Sequence, residues 1–89
     1  MRELCESFGQ TVRELREAQR WSQEILAEKA ALNRSYVGEV ERGKAVASLI
    51  TIEKFAGAFG LRGSDLLARS ERMRDVQLVR GINLASIAC

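Results

Sequence analysis

Four consecutive residues, Asn33-Arg34-Ser35-Tyr36, bring together an amide, a guanidinium, a hydroxyl and a phenol. At the start of a helix, Asn33 would cap it and the next three side chains would project from its N-terminal end. An arginine there can bond guanine O6 and N7 together, and a serine can meet a donor or an acceptor. A tyrosine can set its ring against a thymine methyl while its hydroxyl reaches a phosphate. Upstream, Ser22-Gln23 offers neutral donors at the start of another helix, whose unpaired N–H groups suit an anion. Arg42 and Lys44 add positive charge downstream. Glu39 and Glu41 oppose this, because a carboxylate beside a polyanion is tolerated only when it reads cytosine N4 or pairs with arginine. Ser22, Gln23, Asn33, Arg34, Ser35, Tyr36, Glu39, Arg42 and Lys44 are therefore the candidate contact residues for double-stranded DNA.

The remaining composition offers little other chemistry. Histidine is absent, which removes imidazole as base and as metal ligand. Cys5 and Cys89 stand at opposite ends with no CxxC spacing, so neither zinc nor a disulfide framework is expected. Without a nucleophile–base pair or a metal cluster, the expectation is no enzyme, no metal and no cofactor. The net charge of +2 is too small to name a partner by itself. Only three of the 14 basic residues are lysines, and the remaining arginines carry the planar fork that suits phosphates and guanine edges. No apolar run reaches the roughly 18 residues of a membrane span, and no signal peptide opens the chain, so a reducing cytoplasm is the expected location.

The elements that must position these side chains are helical almost throughout. Phe8, Val12 and Leu15 mark one buried stripe of a first helix ending near Gln19; Ser7 and Gln10 offer a capping box for its start, while Leu4 extends the stripe back beyond it, so either start is open. Trp21 is an apolar plug between helices, and Ser22 caps a second helix that ends near Ala30 and buries Leu26, Ala27 and Ala30. A tight turn at Ala31-Leu32-Asn33 leads to a third helix ending near Glu41, with Val37 and Val40 inward and Gly43 as its stop. A fourth helix from Ser48 to Phe59 should bury Leu49, Ile52, Phe55, Ala56 and Phe59. A fifth opens at Gly63-Ser64, carries Leu66 and Leu67, and runs to about Gln77. Arg69, Arg72, Arg74 and Arg80, interleaved with Glu71 and Asp75, read as a salt-laced helix surface. The expected organisation is one all-α, five-helix domain over 1–75 and an extension over 76–89, apolar but without a clean period. Two short helices joined by a three-residue turn form the helix-turn-helix pattern.

Several segments together resemble one family. Ser22-Gln23-Glu24 with Leu26-Ala27, Leu32 to Val37, Val40-Glu41-Arg42-Gly43, Ser48-Leu49, and Phe55-Ala56 with Ala58-Phe59 are similar to the phage-repressor-type (Xre or Cro-like) helix-turn-helix regulators. Arg-Ser-Tyr opening the third helix and Glu-Arg-Gly after it resemble, in particular, the controller proteins of restriction–modification systems. The resemblance runs from about Phe8 to Leu67. It implies a lambda-repressor-like fold and a transcriptional regulator acting as a homodimer on a near-palindromic operator, its two reading helices about 34 Å apart. Gln23 would contact the DNA backbone, Arg34 and Ser35 bases, Tyr36 either, and Glu41-Arg42 would be a structural pair closing the third helix. The chain departs from the family at Arg20 and Ala31, where glycine is usual in turns favouring positive φ, at Ala47, where proline is usual, and at Ile25 and Ile50, usually polar. Helices four and five are the expected dimer surface, with Val76, Val79, Ile82 and Leu84 of the tail as candidates for it or, equally, for folding back on the chain's own core. An antitoxin-like module binding a partner protein through Ile25, Ile50 and the tail is the alternative reading.

Overall fold

Three short polar signals set the helix starts in the computed structural model, which describes the backbone of residues 2–88 and the side chains of residues 2–78. Ser22 accepts the Ile25 N–H at 3.1 Å, Asn33 accepts the Ser35 N–H at 2.7 Å, and Ser48 accepts the Thr51 N–H at 3.1 Å. Each satisfies one of the N–H groups a helix start leaves unpaired. The helices are α1 (Arg2–Ala18), α2 (Gln23–Ala30), α3 (Arg34–Glu41), α4 (Leu49–Ala58) and α5 (Gly63–Ala88).

Two turns need a left-handed residue and use side-chain-bearing ones. Arg20 has φ 60° and Ala31 φ 55°, as the family resemblance, with glycine usual at these turns, implied. Ala31 closes α2 by sending its N–H back to Ala27 and Glu28 carbonyls. An L-residue there carries a local strain of about 1–2 kcal/mol that the rest of the fold must offset.

The core is built from one face of each helix: Phe8 and Val12, Leu26, Ala27 and Ala30, Val37 and Val40, Phe55 and Ala56, and Leu66. Phe8 meets Phe55 edge to face, with centroids 6.0 Å apart. Trp21 stacks on Phe59 at 5.8 Å, and the Lys29 ammonium lies 5.0 Å from the indole centroid. This half-buried arrangement plugs the α1–α2 junction from outside, as its position between two stripes implied. Helix α1 crosses α3 very closely at Gly9, where a Cβ would stand 2.0 Å from the Val40 carbonyl oxygen.

Three expectations are corrected. Ser7 does not begin α1 but lies buried within it, its hydroxyl donating to the Glu3 carbonyl at 2.6 Å, because Leu4 belongs to the same helical stripe. Leu49 is 81% exposed instead of buried. Helical side chains lean toward the N-terminus, and at the first residue of α4 that direction leads off the core. Helix α5 passes Gln77 and continues to Ala88. The segment contains no proline, and its single glycine, Gly81, weakens a helix without ending it. The side chains of Val79, Arg80, Ile82, Leu84 and Cys89 lie outside the described residues.

Candidate nucleic-acid interface

The α2–turn–α3 unit presents a defined edge. Helices α2 and α3 pack on each other, with α1 behind α3 and α4 behind α2. Val37, Gly38 and Val40 bury one face of α3, which leaves Arg34, Ser35 and Glu39 exposed. Asn33 spends its side-chain oxygen on the cap, so Arg34 and Ser35 hold the first positions beyond it. Tyr36 is half-buried: its ring rests against the core edge and its hydroxyl donates to the Val46 carbonyl at a long 3.5 Å. Ser22 is exposed at the start of α2, its Oγ used as the cap.

Charge gathers beyond the C-terminus of α3. Arg42 is its exposed C-cap, and the Lys44 N–H closes the turn by donating to the Glu39 carbonyl at 2.9 Å. Gly43 between them takes φ 72°. Its Cβ would stand 2.9 Å from Glu6 Cγ, so both conformation and space favour glycine there. Among the described residues, no carboxylate lies within ion-pair distance of Arg34, Arg42 or Lys44. Three cations therefore face outward without an acidic partner. Glu39 remains the exposed carboxylate of this surface.

Glu41 behaves differently from its sequence reading. It neither opposes an anion at the surface nor pairs with Arg42. Its carboxylate turns inward and accepts two hydrogen bonds from Arg16, Nε at 2.6 Å and Nη2 at 3.0 Å, with the two side chains only 3% and 12% exposed. Hydrogen bonding to Glu41 raises the Arg16 guanidinium above its ordinary pKa, against the opposing effect of burial, so Arg16 stays charged. Gln23 joins it, Nε2 donating to Glu41 Oε1 at 3.1 Å. Arg16 is the residue that sequence reasoning missed. The available signal was spacing: Arg16 falls four residues beyond Val12 on the inward stripe, where a charge needs a partner.

The described residues contain no group of three potential metal-ligating side chains, and no helix long and apolar enough to cross a membrane. A family model described as a helix-turn-helix domain matches residues 7–69. Control protein C.BamHI of Bacillus amyloliquefaciens is 44% identical over 61 residues, covering 67% of this chain and 75% of that protein. The immunity repressor protein of Bacillus phage phi105 is 36% identical over 71 residues, 80% of this chain. This chain spans only 49% of that repressor's length. The crystal structure of the restriction–modification controller protein C.AhdI from Aeromonas hydrophila is similar with a TM-score of 0.67 at 48% identity, covering 70% of this chain and 94% of that one.

Proposed function

This chain belongs to the helix-turn-helix domain family, and from that premise we propose that it is a sequence-specific double-stranded-DNA-binding transcriptional regulator, a homodimer on a near-palindromic operator, with the role of a restriction–modification controller. The observation that carries the reading is the exposed first turn of α3, where Arg34 and Ser35 stand free, with the unpaired cations Arg42 and Lys44 beyond the other end of the helix. In this reading α3 enters the major groove by its N-terminal end. The Arg34 fork bonds guanine O6 and N7, and Ser35 meets the neighbouring base edge. Tyr36, Arg42, Lys44 and the start of α2 at Ser22-Gln23 meet phosphates, which fixes register and contributes the salt-dependent part of the affinity. Glu39, the outward carboxylate of α3, is suited to a cytosine amino group.

A dimer follows from the size of the reading surface. One α3 spans too few base pairs to rise above non-specific binding to a genome, and two half-sites multiply the discrimination. Val46, Leu49 and Ile50 are 71%, 81% and 69% exposed and lie together on the α3–α4 loop and the first turn of α4. Water-facing aliphatics so concentrated suit burial against a second copy. Val76 of α5 is also 48% exposed, but it lines a separate groove with Gln10, Thr11, Glu14 and Leu15 of α1.

Selection of bound sites from random duplex DNA tests the reading, with Arg34→Ala as the comparison. A palindromic consensus is expected. Loss of the arginine should cost about 1–3 kcal/mol and relax preference at one position per half-site. An Arg34→Ala chain with the parent's affinity and consensus would show that α3 is not the reading element.

A further inference from the structure

We infer that the groove between α1 and α5 is a contact between two copies of this chain, separate from the patch of Val46, Leu49 and Ile50. The groove has a volume of about 470 Å³ and an apolar floor of Leu15, Met73 and Val76. Its α1 side carries Glu14 and its α5 side Arg69 and Arg72, all three exposed. Among the described residues, no ion pair includes any of the three. The Gln77 amide donates to Gln10 Oε1 at 2.9 Å, which ties the two helices together along the groove. The Thr11 hydroxyl lies 3.7 Å from Met73 Sδ and steadies the floor.

Charge decides what fits. A groove of one sign would suit a foreign helix of the other, whereas this one sets a carboxylate on one side and two guanidiniums on the other, too far apart to pair within the chain. A two-fold axis along the groove exchanges the sides, so that Glu14 of each copy meets Arg69 and Arg72 of the other. The apolar floors then close on each other and the charges stay at the rim, the usual anatomy of a protein interface. Such a short contact falls among the weak interfaces of less than roughly 1,200 Å², which form only at high protein concentration. None of the lining residues belongs to α2 or α3, so the edge offered to DNA stays open and the contact does not depend on the DNA-binding reading. Arg72, Met73, Val76 and Gln77 lie beyond residues 7–69, the span that matches the helix-turn-helix family, so the α5 side is largely this chain's own.

The test is sedimentation equilibrium of the full chain over a concentration series, with Ile50→Lys in every sample so that the groove is the contact left. Glu14→Arg makes both sides of the groove basic, and Arg69→Glu/Arg72→Glu makes both acidic. All three positions are exposed, and circular dichroism checks that each variant is folded. The Ile50→Lys chain is expected to associate toward a dimer, less so as salt rises. Each reversed chain alone should associate roughly tenfold more weakly, because like charges then face each other. An equimolar mixture of the two should recover the association, since every carboxylate again meets an arginine. Glu24→Arg, on α2 and outside the groove, replaces Glu14→Arg in a control mixture of the same net charge and should recover nothing. An Ile50→Lys chain that stays monomeric throughout leaves the groove to a different protein and overturns the proposal. Reversed chains that associate as well as the Ile50→Lys chain, a mixture no better than its components, or recovery in the Glu24→Arg mixture overturns it too.

Discussion

Replacing Gly9 by alanine puts two physical effects in direct opposition. Gly9 lies within α1, where alanine favours the helix by about 0.8–1.0 kcal/mol. The new Cβ would stand 2.0 Å from the Val40 carbonyl oxygen and 3.1 Å from the Glu41 carbonyl carbon and oxygen. All three are backbone atoms, so no rotamer change can make room, and α1 must move off α3 by more than 1 Å. Overpacking typically costs about 1–3 kcal/mol, and an unyielding partner places this site at the upper end. The net expectation is a loss of about 2 kcal/mol, or a melting temperature lower by roughly 8–16 °C for a domain of this size. Gly57→Ala is the internal control: it lies in α4 with nothing within 4 Å of the new atom, so propensity acts alone and a rise of a few degrees is expected. Far-UV circular dichroism melts at one fixed protein concentration would measure both, because self-association makes melting concentration-dependent. If Gly9→Ala melted at or above the parent, the close α1–α3 crossing would be refuted.

Ala31→Gly should stabilise the chain by up to about 1 kcal/mol. Relief of the left-handed strain at φ 55° exceeds the entropy that glycine adds to the unfolded state, and a urea titration would reveal the opposite sign if the turn were right-handed. Lys44→Ala should weaken binding to every duplex alike and reduce the slope of log affinity against log salt by about one, measured by fluorescence anisotropy at several salt concentrations. An unchanged slope would remove Lys44 from the phosphate contacts. Ile50→Lys should shift sedimentation toward the monomer without lowering helix content, since Ile50 is already 69% exposed in the single chain. An undiminished dimer would place the interface elsewhere.

The local design was legible in the amino acids alone. Ser22, Asn33 and Ser48 are caps because a short side-chain oxygen can reach back to an unpaired N–H, and that depends only on neighbours in the chain. The apolar faces of α2 and α3 followed from a 3.6-residue period, whereas the positive φ of Arg20 and Ala31 was implied by the family resemblance, in which glycine is usual at those turns. The exposed opening of α3 followed in turn, because Val37 and Val40 define the face opposite it.

Tertiary structure decided what depends on distance through space. Periodicity placed Leu49 on the buried face of α4, but only the packed molecule shows that the face is uncovered at its first turn. Sequence marked Glu41 as acidic and adjacent to Arg42; the fold turned it toward Arg16, far away along the chain, and recruited Gln23 to the same carboxylate. It also brought Gly9 against the Val40 carbonyl. Caps and stripes arise from bonds and periods within a few residues. An ion pair between α1 and α3 exists only once the apolar faces have driven those helices together and withdrawn both charges from water.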